Sequence, residues 1–152
     1  MKTIIFSFVL LFTLSCTTND DNDDSEPQTI TPVLIAKDNL YGNGAERISQ
    51  QNVVVSNQTA WTQLMNSMNA NNNQTNNFTT TTIDFNKFQI IAVFDNIKTA
   101  GGYSVDITTV MENQNDIVVT IKHLSNGGIT TVMTQPFHIV KIPRTTKPVI
   151  FQ

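Results

Sequence analysis

Four side chains carry the types that acid–base or metal chemistry needs: Asp84, Asp95, His123 and His138. Asp84 and Asp95 flank one apolar run, and two carboxylates can divide the work of acid and base. In turns, however, Asp more often caps backbone N–H groups, and capping is the role expected of both. His138 stands between Phe137 and Ile139 on an alternating strand, so it faces opposite to both. His123 lies at a strand end. Neither histidine has an acidic neighbour at ligand spacing, so no metal is expected. No Ser sits in a Gly-x-Ser-x-Gly elbow, and no Gly-rich phosphate loop occurs. The expectation is therefore no catalytic residue, no metal, no cofactor and no enzyme. What remains are contact candidates: Tyr41, Gly101, Gly102 and Tyr103. Two glycines suit a backbone needing positive φ or close approach. Tyr103 then opens a strand with a ring that is apolar in body and polar at its tip.

Those candidates need elements to hold them, and the chain divides into three parts. Residues 1–15 read as a secretory signal peptide: Lys2, then an apolar run from Ile4 to Phe12, then small residues. The single Cys, Cys16, falls where cleavage is expected and excludes any internal disulfide. Leu14-Ser15-Cys16 resembles the lipobox of bacterial lipoproteins, in which the Cys becomes the first mature residue and carries lipid. Thr13 departs from the Leu usual there. Lipidation would also remove Cys16 as a nucleophile. Residues 16–28 form a tether with five acids and no apolar side chain after Cys16, so it cannot bury a core. Such a stretch resembles the surface-export signal of some Gram-negative lipoproteins. An outer-membrane lipoprotein, facing the periplasm or the cell exterior, is the expected location.

Residues 29–152 are expected to fold as one domain. From residue 28 onward there are seven acids and eight bases, so the formal charge of −3 belongs to the tail. Cations are few and scattered, so nucleic acid is not an expected partner. Only 14% of residues are charged, while 18 Asn and 22 Thr favour turns and strands. Pro32–Ala36 reads as an edge strand and Tyr41–Ala45 as a turn-rich loop. Gln51–Val55 reads as a strand. Ser56 is then the expected N-cap of a helix with Trp61, Leu64, Met65 and Met68 on one apolar face. Asn69–Asn77 is expected to be loop. Phe88–Phe94 is an unbroken apolar run, the pattern of a strand covered on both faces. Tyr103–Met111 and Asp116–His123 read as a hairpin, followed by a turn at Ser125–Gly128. Thr130–Thr134 and Phe137–Ile142 read as strands interrupted at Gln135-Pro136, with Val149–Phe151 as a last edge. The fold class is α+β: a mostly antiparallel, twisted sheet or partial barrel with one amphipathic helix packed on it.

The order of these segments resembles the C-terminal domain family named after PrcB. The likeness runs over residues 50–145: the Trp61 helix, Ile83-Asp84-Phe85, Ile90–Phe94, Gly101–Ile107 and Pro136–Pro143. In the family pattern the aromatic after the first Pro is commonly Tyr, so Phe137 lacks a hydroxyl. The namesake is a lipoprotein subunit of a bacterial surface protease complex, accessory rather than peptidase. The resemblance therefore implies a non-catalytic, surface-anchored lipoprotein that binds or stabilises another exported protein, such as a protease. A peptide- or glycan-binding module presenting Tyr41, Trp61 and Tyr103 together is the alternative, as is a small hydrolase built on the His and Asp residues above.

Overall fold

In the computed structural model, residues 26–125, 128 and 130–152 are described. The signal peptide, Cys16 and the tether up to Ser25 lie outside the described residues, as do Asn126 and Gly127 of the expected turn. The elements run β1 (Gln28–Thr29), β2 (Val33–Leu40), β3 (Gln51–Val55), α1 (Gln58–Met68), a 3-10 turn (Gln74–Asn77), β4 (Phe88–Phe94), β5 (Tyr103–Glu112), β6 (Ile117–Ser125), β7 (Gln135–Pro143) and β8 (Val149–Phe151). The class is α+β, mostly antiparallel. The strands divide between two open four-stranded sheets, ordered β1-β5-β6-β8 and β2-β7-β4-β3, and neither closes into a barrel. Among the described residues the one parallel pair is β6 with β8.

Side-chain alternation explains the layering. On β4, Ile90, Ala92 and Phe94 join the core under α1, while Ile91 and Val93 join the core between the sheets. Its neighbour β7 divides likewise, with Phe137 and Ile139 toward the helix and Val140 and Ile142 toward the other sheet. A strand covered on both faces must be apolar at both parities, which is why Phe88–Phe94 shows no polar alternation. The second sheet is covered on one face only. Val105 and Ile107 point inward, then two residues, Thr108 and Thr109, are exposed, and Val110 points inward again. A bulge between Ile107 and Thr109 makes that shift of parity.

Helix α1 buries Trp61 and Met68 completely and Leu64 and Met65 in part. Its N-cap is Asn57, not Ser56: Asn57 Oδ1 accepts from the Ala60 N–H at 2.9 Å. Trp61 Nε1 donates to the Thr81 carbonyl at 2.8 Å, so the buried indole keeps its hydrogen bond. Phe78 lies between Trp61 and Phe137, with centroids 6.0 and 6.5 Å away, and Phe94 stacks on Phe137 at 5.9 Å. Phe137 is thus buried among rings, where a hydroxyl would need a partner. The Asn69–Asn77 stretch is not loop throughout, since Gln74–Asn77 makes a 3-10 turn.

Two further expectations are corrected. The segment Thr130–Met133 does not form a strand, and Thr134 makes only an isolated bridge to Lys98. Gln135-Pro136 does not interrupt β7 but begins it. The Pro136 carbonyl accepts from Asp95 N–H at 2.9 Å. In an antiparallel ladder the N–H that proline lacks would have faced the Asp95 carbonyl. Gln135 Nε2 donates there instead, at 2.9 Å, so the ladder closes around the proline.

Candidate functional site

Three connections meet at one end of the two sheets: Tyr41–Gln50, Asp95–Gly102 and the β6–β7 segment. They are bonded to one another. Lys98 and Thr134 exchange backbone hydrogen bonds at 2.7 and 3.0 Å, and Thr134 Oγ1 donates to Ala100 O at 3.0 Å. Gly101 N–H donates to Thr130 O at 3.3 Å, and Gly128 N–H to Gly101 O at 2.7 Å. Gln135 Nε2 also donates to Ile48 O at 2.8 Å, tying in the first loop. The glycine pair has two separate causes. Gly102 sits at φ +84°, and a Cβ on Gly101 would meet Thr130 Oγ1 at 2.6 Å.

The sheets also aim side chains into this end. On β6 the inward row runs Ile117, Val119, Ile121 and then His123. On β5 Tyr103 stands on the same inward row as Val105. Asp95 leaves β4 at the same end. His123 Nδ1 lies 3.2 Å from Asp95 Oδ2, and Lys98 Nζ lies 2.9 Å from the same oxygen. Asp95 Oδ1 accepts from Asn96 N–H at 2.7 Å. Burial pushes this carboxyl's pKa up, but Lys98, the Asn96 N–H and His123 together outweigh it and hold Asp95 below the usual value of 3.8. Lys98 Nζ also stands 5.4 Å from the Tyr103 ring centroid, a cation–π contact.

Of the four side chains named for acid–base chemistry, the structure joins two, Asp95 and His123. Asp84 sits at the opposite end of β4, accepts from Asn86 N–H at 3.0 Å and pairs with Lys87 at 3.7 Å. His138 lies between the sheets, where its Nδ1 accepts from Ile107 N–H at 2.9 Å. Burial and the nearby Lys37 lower its pKa below 6.5, against an opposing push from Asp106, so the imidazole is neutral. Among the described residues no group of three metal-ligating side chains occurs. No hydroxyl among the described residues is bonded to the His123 imidazole, and Lys98 shares the same carboxylate oxygen. The arrangement ties the loop end together through Asp95. Trp61 is fully buried, so Tyr41, Trp61 and Tyr103 form no shared aromatic platform.

Against this geometry, residues 90–143 match the family model described as PrcB C-terminal. Over that stretch the chain is similar to the PrcB C-terminal family. The match spans β4 to the end of β7, about a third of the chain. It contains Asp95, Lys98, Gly101, Gly102, Tyr103 and His123, hence the whole Asp95 cluster. The Trp61 helix and Tyr41, parts of the wider likeness or of the contact set, fall outside it. No curated protein and no solved structure matches the chain.

Sequence reasoning missed Lys98, Ile97 and Val132. The position of His123 was legible: counting in twos from Ile117 puts it on the inward row. Its partner was not, because Asp95 belongs to the other sheet.

Proposed function

We propose that this protein is a non-catalytic lipoprotein, anchored by lipid on Cys16 in the outer membrane, that binds or stabilises another exported protein, with a protease complex as the class of partner. The observation that carries the reading is the loop end. There the Gly101-Gly102-Tyr103 segment is bonded into a fixed surface, and Tyr41, Ile97 and Val132 are 49%, 39% and 50% exposed on it. Large apolar side chains held outward on a braced surface lower the entropy lost on binding, and they suit the core of an interface. Tyr41 and Tyr103 remain the proposed contacts, with Gly101 and Gly102 setting the loop's path.

The test is affinity capture of the tagged full chain from detergent-solubilised outer membrane. A defined partner should appear with wild type and be lost with Ile97→Asp/Val132→Asp at unchanged melting temperature. Recovery of the lipoprotein alone in mild detergent, or of the partner with the double variant, would overturn the reading.

A further inference from the structure

Two open sheets leave edges that a protein must keep from pairing with other chains. Among the described residues every edge but one is blunted. β1 and β8 are two and three residues long. β2 has a register shift between Leu34 and Ala36, carries Lys37 and Asp38, and has its Ile35 carbonyl taken by Thr79 N–H at 2.9 Å. The part of β5 beyond β1 is bulged and has its Ile107 N–H taken by His138. The part of β6 beyond β8 carries Lys122 and His123.

β3 has no such device. Gln51-Asn52-Val53-Val54-Val55 is uncharged, contains no proline and pairs with β4 in unbroken register. Asn52 is exposed and Val54 is 38% exposed. In an antiparallel edge strand alternate residues turn both N–H and C=O outward. Outside the β4 ladder these residues have no backbone hydrogen bond to any described residue.

We infer that the β3 edge accepts an added strand, an extended and uncharged segment of the partner protein. The chemistry that fits a row of outward N–H and C=O groups is another backbone, with side chains alternating across the sheet. A second copy is the weaker occupant, because two five-residue strands fall well short of the roughly 1,200 Å² of a stable interface. The edge is also continuous with the loop end: Gln51 pairs with Phe94, next to Asp95, and the chain before β3 is the Tyr41–Gln50 connection. One partner segment can therefore run along β3 and reach Tyr41. This inference rests on the partner-binding reading and names how the partner is held.

The probe is a capped heptapeptide of alternating Thr and Val, titrated into the 15N-labelled full chain and followed by amide shifts. Saturable shifts centred on residues 51–55 are expected. A peptide with Pro at its centre should give none, and Val54→Lys should weaken binding by roughly tenfold or more. Absence of shifts at millimolar peptide would overturn the inference. So would shifts centred on the loop end, or β3 broadening that grows with protein concentration alone, which would indicate a second copy. If the peptide fails while the partner is still captured through Ile97 and Val132, the edge proposal falls and the partner-binding reading stands.

Discussion

At His138 an imidazole takes the place of a neighbouring strand. It receives the Ile107 N–H at the point where β5 has no β1 beside it, and so links the two sheets. Only the neutral ring can accept at Nδ1 there. Because the folded pKa is lowered, the unfolded chain binds more protons between that value and 6.5. Stability should therefore fall as pH drops below about 6.5, by a contribution that His138→Ala removes. A flat stability-against-pH curve for wild type in that window would contradict this. His138→Ala should itself cost about 1–3 kcal/mol, since it leaves a buried N–H without an acceptor. Asp95 acts in a different window: its lowered pKa stabilises the fold above 3.8 and that contribution is lost on further acidification. Trp61→Ala should cost about 3–5 kcal/mol, the usual effect of emptying a large aromatic from a core. Protected, blue-shifted Trp emission in an acrylamide titration would agree with its burial. Freely quenched emission would place the helix stripe at the surface.

At the scale of elements, the strands easiest to read were those with one buried face. Gln51–Val55 was legible from its run of β-branched residues and β5 from the alternation over Tyr103–Ile107, and Asn113 N–H closes the β5–β6 turn on Asp116 O at 2.9 Å. The unbroken run of β4 correctly indicated two covered faces. It could not say which parity meets which layer. The helix packs on Ile90, Ala92 and Phe94, whereas Ile91 and Val93 face the other sheet. Pro136 misled because its missing N–H is replaced by Gln135, a side-chain substitution that no pattern of propensities displays. The Asp95 cluster was illegible for a related reason, since its members come from different sheets. The bulge at Thr108 offers a direct test of parity. Deleting Thr108 should remove the bulge, leave Val110 inward opposite Val119 and keep cooperative thermal unfolding with a small change in melting temperature. Loss of cooperative unfolding, or exposure of Val110, would show that Thr108 is not the extra residue that shifts the parity.

For the whole molecule, the described residues contain no helix long and apolar enough to cross a membrane. Lipid on Cys16 is the proposed anchor, and Cys16→Ala should release the protein from the membrane fraction. Retention after a high-salt wash would count against the lipoprotein reading. The reading also predicts a polarised molecule, with partner contact confined to the loop end and the β3 edge. The outer face of the β1-β5-β6-β8 sheet should stay free. A photo-crosslinking side chain placed at Val132, compared in living cells with one at Val118 on that outer face, tests this most directly. A discrete higher-mass adduct is expected from position 132 and none from position 118. No adduct at 132, or equal adducts from both positions, would contradict it.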